Sequence, residues 1–233
     1  MPMIWGVPFH IAVLSEKGGV GKTTLALHLA WMFSKMWLER DKEISSRGDV
    51  LLVDADPQGS ILAWQDERKE EPPFRIIEHA QPTLHSYLPE SIQTEWFNTC
   101  IIDCPPRATD IARSAVLAAD LVIIPTQPSS LDVWAGQHTI ALIEEAREFR
   151  GTSPPYCIAL NRVIVNTEIS RKVDTALRNA GIPVLDTWIK QRVAYAECVS
   201  AGKTIFETEP HSKAALEIRQ LFKDIYLFIG EGM

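Results

Sequence analysis

The stretch Ser15-Glu16-Lys17-Gly18-Gly19-Val20-Gly21-Lys22-Thr23-Thr24 decides how the rest of this chain is read. The residues leading into it, His10–Ser15, are apolar and strand-prone, and Thr23–Leu38 carries apolar residues at helical spacing. A strand, a glycine-rich turn and a helix, in that order, let backbone N–H groups curl around phosphate oxygens. The glycines keep Cβ atoms out of the curl, and the helix start adds the positive end of its dipole. Lys22 has the length to reach terminal phosphates, and the Thr23 hydroxyl is suited to ligate Mg²⁺. Gly18, Gly19, Val20, Gly21, Lys22, Thr23 and Thr24 are therefore candidate phosphate contacts, with Lys22 also a candidate catalytic group.

Outward from this loop, short apolar runs alternate with longer helical ones. Strands are expected at His10–Ser15, Val50–Asp54, Phe74–Glu78, Cys100–Asp103, Leu121–Pro125, Tyr156–Leu160 and Ile182–Asp186. Helices are expected at Thr23–Leu38, Ser60–Lys69, Pro82–Trp96, Thr109–Ala118, Leu131–Phe149, Glu168–Ala180 and Ser212–Phe228. Continuous apolar strands between helices predict an α/β fold: a twisted, mostly parallel sheet with helices on both faces. No repeat or long linker interrupts the 233 residues, so one domain over 1–233 is expected. The last helix should dock Leu216, Ile218, Leu221, Phe222, Ile225 and Phe228 on the sheet. Its tip, Lys223-Asp224-Ile225-Tyr226-Leu227-Phe228-Ile229-Gly230-Glu231, lacks the cationic face of a membrane-surface helix, so no membrane partner is expected.

Composition narrows the class. Hydrophobic residues make up 46% and charged residues 23%, with mean hydropathy −0.02, which excludes disordered and fibrous readings. No apolar run approaches the roughly 20 residues of a membrane span, and no basic segment precedes an apolar one at the start. Cys100, Cys104, Cys157 and Cys198 form no CxxC pair and read as reduced thiols of a cytoplasmic protein. Net charge is −7, but residues 1–146 hold 11 Lys/Arg against 20 Asp/Glu, and residues 147–224 hold 12 against 9. An acidic molecule with a locally basic half is not a general polyanion binder, yet it can present one basic face.

The usual phosphate-loop pattern G-x-x-x-x-G-K-S/T wants glycine where Glu16 stands, and a second lysine, Lys17, follows it. Lys17-Gly18-Gly19-Val20-Gly21-Lys22-Thr23 resembles the deviant Walker A loop of the ParA/MinD family of P-loop ATPases. The resemblance implies ATP/ADP and Mg²⁺ as ligands, and an ATP-bridged homodimer in which Lys17 reaches the partner subunit's phosphates and shares in catalysis. Glu16 should point away from the phosphates or pair with a base. Val50-Leu51-Leu52-Val53-Asp54-Ala55-Asp56-Pro57-Gln58-Gly59-Ser60 looks like the family's first switch, with Asp54 near the metal shell and Asp56 orienting the attacking water. Asn98-Thr99-Cys100-Ile101-Ile102-Asp103-Cys104-Pro105-Pro106 looks like a Walker B strand whose Asp103 holds Mg²⁺, with two prolines stiffening a second switch. Asn161-Arg162 resembles the adenine-side motif, and Ile189–Glu197 a loop near the adenine and the dimer edge. The likeness runs over about residues 10–225.

The site lacks a substrate-binding insertion, so the implied activity is slow, Mg-dependent ATP hydrolysis acting as a switch. Within the family the small, ParF-like ParA type fits best, because the first strand starts too early for an extra N-terminal DNA-binding domain. That type implies ATP-dependent, non-specific binding to duplex DNA of the nucleoid, a ParB-like partner that stimulates hydrolysis, higher-order assemblies, and segregation of a plasmid or chromosome. Lys190, Arg192, Lys203, Lys213, Arg219 and Lys223 are the candidate DNA contacts. Alternatives are a related ATPase that positions a protein cargo such as a microcompartment, a MinD-like division-site regulator, and a P-loop biosynthetic enzyme. An iron–sulfur carrier of the same superfamily would want the missing CxxC pair.

Overall fold

In a computed structural model, residues 9–40, 50–88, 97–107 and 109–231 are described. Six strands, β1 (Phe9–Val13), β2 (Val50–Asp54), β3 (Arg75–Glu78), β4 (Thr99–Asp103), β5 (Leu121–Thr126) and β6 (Tyr156–Leu160), form one sheet in the order β3-β2-β4-β1-β5-β6, every pair parallel. The helices are α1 (Lys22–Arg40), α2 (Ser60–Asp66), α3 (Asp110–Ala118), α4 (Ser130–Arg150), α5 (Glu168–Asn179), α6 (Val193–Ser200), α7 (Ile205–Thr208) and α8 (Lys213–Glu231). A further helical segment begins at 84; the part of the expected Pro82–Trp96 helix over 89–96 lies outside the described residues.

β2, β4 and β5 are buried along their whole length, as continuous Val/Ile/Leu runs require when both faces are covered. Alternation then sorts side chains between two layers. Ile11, Val13, Leu52 and Ile101 face α1 and α8, while Ala12, Leu14, Val53 and Ile102 face α3, α4 and α5. Phe33 of α1 meets Phe222 of α8 edge-to-face at 4.8 Å, so the last helix docks as expected. Within that helix Ile218, Leu221, Phe222 and Ile225 are buried; Leu216, expected on the same stripe, is 56% exposed and lies off it.

Two expectations are corrected. Ile182–Asp186 is not a seventh strand. It runs beside β6 with one isolated bridge at Val184, because Pro183 has no N–H to donate and only its carbonyl joins the edge, accepting from Ile158. Within Ile189–Glu197, expected to be a loop, the chain turns into helix α6 at Val193.

His28 is the one histidine among the described residues with no exposed surface. Its Nδ1 lies 2.6 Å from the Thr24 carbonyl, and its Nε2 accepts the Ile205 N–H at 3.0 Å. Nε2 must therefore carry the lone pair, which makes the ring neutral and the Nδ1–H tautomer the donor to Thr24. Tyr195 and Phe206 pack edgewise against the ring at 5.7 and 6.0 Å. This single ring joins the first turn of α1, directly behind the phosphate loop, to α6 and α7. Burial pushes its pKa down to about 4. The folded value lies below that of the unfolded chain, so the stabilisation is complete above about pH 6.5 and is lost as pH falls toward 4. Denaturant titrations should show His28→Asn less stable than the natural chain at pH 7.5. The gap should narrow by about 2 kcal/mol at pH 5; a gap independent of pH would remove this role.

Candidate phosphate site at the carboxyl edge of the sheet

All the loops that carry candidate residues leave the same edge. β1 feeds Ser15–Gly21, β2 ends at Asp54, β4 ends at Asp103, and the turns after β5 and β6 supply Gln127, Asn161 and Arg162. β1 lies between β4 and β5, so successive connections diverge from it to either side. That divergence opens the crevice in which open parallel sheets bind ligands.

Gly19 (φ 76°) and Gly21 (φ 92°) take left-handed backbone, which a Cβ disfavours, and so give the loop its curl. A Cβ on Gly21 would also sit 2.5 Å from Asn161 Nδ2. Outside the curl, the loop's carbonyls meet donors. Asn161 Nδ2 donates to Val20 O at 2.7 Å, Arg162 Nη1 donates to Gly19 O at 2.7 Å, and Gln127 Nε2 donates to the same oxygen at 3.3 Å. Lys22, at the start of α1, is buried and its Nζ lies 3.4 Å from Lys17 O. Burial lowers its pKa, opposed chiefly by the Asp103 carboxylate. Lys17 itself is half-exposed.

The acidic side is built by register. Asp54 and Asp103 are paired positions on adjacent strands, and both are fully buried. Thr23 Oγ1 donates to Asp103 Oδ2 at 2.6 Å, while Asp103 Oδ1 is buried without a partner among the described residues. Burial, reinforced by Asp54, pushes Asp103 up to about 7 against the Thr23 hydrogen bond. A buried carboxylate oxygen with no donor, beside a threonine hydroxyl at a helix start, fits a hard divalent cation. Mg²⁺ would be held there by Thr23 and Asp103.

Asp54 sits in the crevice but its oxygens are occupied. Oδ2 accepts from Ile61 N at 2.9 Å and Leu62 N at 3.2 Å, and Oδ1 accepts from Asp56 N at 3.3 Å. The N-cap of α2 is Gly59, which has no side chain, so Asp54 caps the helix from the end of β2. Burial raises its pKa while these N–H groups oppose the rise. Asp56 is half-buried, with Oδ1 accepting from Gln58 N at 3.0 Å. The far end of α2 is pinned as well: Arg68 bonds Gly202 O at 2.7 Å and forks onto Glu207, and Trp64 Nε1 reaches Lys203 O at 3.1 Å.

Glu16 meets a base, His138 Nδ1, at 2.8 Å, and its backbone accepts from Arg107 N and donates to Thr139 Oγ1. Sequence reasoning left Gln127, His138 and Thr139 without roles. Gln127 had a signal, a polar amide directly after an apolar strand; His138 had none, being 122 residues from Glu16.

The basic candidates divide. Lys190 and Arg192 both pair with Glu217, and Arg219 bonds Pro210 O while lying 5.1 Å over the Phe206 ring. Lys203, Lys213 and Lys223 are exposed. Arg192 and Lys213 line a cleft of about 450 Å³ with Gln191, Val193 and Ser212.

Asp54→Asn should cost about 1–3 kcal/mol in urea unfolding, because an amide cannot accept all three N–H groups. It should also speed proteolysis around Pro57. Unchanged stability would exclude the capping role.

Against known proteins, residues 11–205 match the family model described as the CobQ/CobB/MinD/ParA nucleotide binding domain. Maintenance of carboxysome distribution protein A of Halothiobacillus neapolitanus is 30% identical over 226 residues, covering 93% of this chain and 96% of that one. The chromosome-partitioning ATPase Soj of Thermus thermophilus is 27% identical over 256 residues, covering 96% and 97%. Among solved structures, the septum site-determining protein MinD complexed with Mg-ADP from Pyrococcus horikoshii superposes with a TM-score of 0.72 at 20% identity, covering 97% of this chain and 99% of that one.

Proposed function

We propose a function from one premise: the chain belongs to the CobQ/CobB/MinD/ParA nucleotide-binding family, as a ParA/MinD-type deviant Walker A ATPase. The function is an ATP-driven positioning switch. ATP and Mg²⁺ bind in the loop between β1 and α1, two copies close on the nucleotide, and hydrolysis releases them. What supports this reading is the contact between the half-buried Thr23 hydroxyl and the fully buried Asp103 behind a curled glycine loop.

The residues divide the work. Inward-facing N–H groups of Gly18–Thr24 take the phosphate oxygens, and Lys22 neutralises their charge. Thr23 and Asp103 would hold Mg²⁺, which when bound would supply charge neutralisation for the phosphates. Asp56, half-buried at the mouth of the first switch, orients the water. Lys17 enters the partner copy's phosphates, so each copy senses the other's nucleotide. Asp54 serves this arrangement by fixing the segment that carries Asp56. Asn161 and Arg162 border the nucleotide.

The cargo we assign is a protein assembly, and the observation that carries this is the carboxysome-distribution relative, matched over nearly the whole of both chains. This reverses the order favoured by the sequence, in which a replicon came first. Segregation of DNA stays as the second reading because Soj is similar over nearly its full length. Both readings use the nucleoid as a track, so duplex DNA binds the ATP form non-specifically and a ParB-like or equivalent cargo adaptor stimulates turnover. The exposed Lys203, Lys213 and Lys223 are the better-placed DNA contacts, since Lys190, Arg192 and Arg219 hold the fold.

ATP hydrolysis by the natural chain should be slow alone and rise when duplex DNA and the product of the neighbouring gene are added together. Lys17→Ala should abolish both the ATP-dependent dimer, read by light scattering, and the stimulation; a variant that dimerises and turns over normally would remove the cross-subunit role. Lys203→Glu and Lys213→Glu should each weaken DNA retention and flatten its salt slope by about one for each phosphate the side chain neutralises. In cells lacking the gene, a fluorescent protein cargo should clump while chromosome and plasmid inheritance hold; lost inheritance with an even cargo would favour the replicon reading.

A further inference from the structure

We infer that Asn161, with Arg162, is a positioning residue for the triphosphate: it holds the loop's carbonyls outward so that the N–H groups face the phosphates. The inference rests on the nucleotide reading above and assigns Asn161 a task other than bordering the base.

A loop of consecutive amides binds an anion only if its carbonyl dipoles point elsewhere. In this chain something pulls them. Val20 O accepts from Asn161 Nδ2 at 2.7 Å, and Gly19 O accepts from Arg162 Nη1 at 2.7 Å and Gln127 Nε2 at 3.3 Å. Asn161 is 7% exposed, and none of its amide atoms is idle: Oδ1 accepts the N–H of Arg162 at 2.9 Å, which fixes which end is the donor. Its own backbone is tied to β5 through Thr126 O at 2.9 Å. The reach is anchored because Asn161 directly follows β6 and its N–H bonds to the end of β5. Arg162 stands at φ 53°, a left-handed conformation that costs a branched or long side chain energy unless the surroundings over-determine it. That turn is what brings its guanidinium back over Gly19. Finally, the amide lies where a Cβ of Gly21 would be, so the glycine at this point and the asparagine opposite it are one steric unit.

The test separates phosphate from base. Inorganic tripolyphosphate with Mg²⁺, ATP and GTP are titrated into the natural chain, Asn161→Ala and Arg162→Ala by calorimetry, with melting curves alongside. The clamp predicts that Asn161→Ala weakens tripolyphosphate and ATP alike by about tenfold or more, leaving the ATP-to-GTP ratio unchanged. Arg162, being exposed, is removed without unfolding and should weaken tripolyphosphate by a smaller factor in the same direction. Unchanged tripolyphosphate affinity in both variants overturns the inference, whether or not the ATP-to-GTP ratio collapses; a collapsed ratio alone would return Asn161 to the base. If Asn161→Ala fails to fold, the Arg162→Ala result decides by itself. Failure of the natural chain to bind ATP would remove the nucleotide reading first, and the clamp with it.

Discussion

Two carboxylates held side by side in a dry place set the terms for this molecule. Asp54 and Asp103 are neighbours in register at the ends of β2 and β4, and neither has exposed surface. Such a pair is tolerable only if hydrogen bonds or positive charge come to it. The fold answers each differently. Asp54 is quenched by backbone amides and so organises the helix behind it. Asp103 takes one hydroxyl hydrogen bond and keeps one oxygen bare, with the Lys22 ammonium among the charges acting on it. Two chemically identical groups on adjacent strands thereby differ in kind: one is saturated by backbone donors, the other keeps an oxygen unpartnered among the described residues.

From this pair the supports run backward into the body of the protein. Asp54 caps α2, and α2 is pinned through Arg68 and Trp64 to the turn between α6 and α7. Gly202 in that turn has no room for a side chain, since a Cβ would stand 2.7 Å from the Glu67 backbone. Glu207 closes a capping box with Thr204 while it grips Arg68, and Ile205 next to it bonds His28 beneath the phosphate loop. The turn after β2, helices α2, α6 and α7, and the first turn of α1 are thus linked by a run of polar contacts.

The sequence made some of this legible and hid the rest for identifiable reasons. Ser15–Thr24, the strand ends at Asp54 and Asp103, and the parallel sheet are short-range signals: each is a run of residue types whose spacing alone constrains the chemistry. The role of Asp54 was not visible, because its donors at Ile61 and Leu62 reach it only after the chain folds back past a side-chain-less Gly59. The donors to Gly19 and Val20 come from more than a hundred residues away, and no local pattern announces a side chain aimed at a carbonyl. Ile182–Asp186 had the apolar content of a strand but a proline where the ladder needed a donor. Helix α6 is eight residues with no side-chain cap, and only Tyr195 and Cys198 are buried, so it offers little periodicity to read. Three of the six basic candidates proved to be engaged inside the fold, a distinction that composition cannot draw.

The four cysteines carry a practical corollary. All are buried free thiols; burial drives Cys100, Cys104 and Cys157 far above the usual range and Cys198 up to about 12. Thiolates are the reactive species, so the native protein should be nearly silent toward maleimides. A single new cysteine on an outward position such as Leu227 would then accept a dye cleanly, while slow background labelling would count the moments when the core opens.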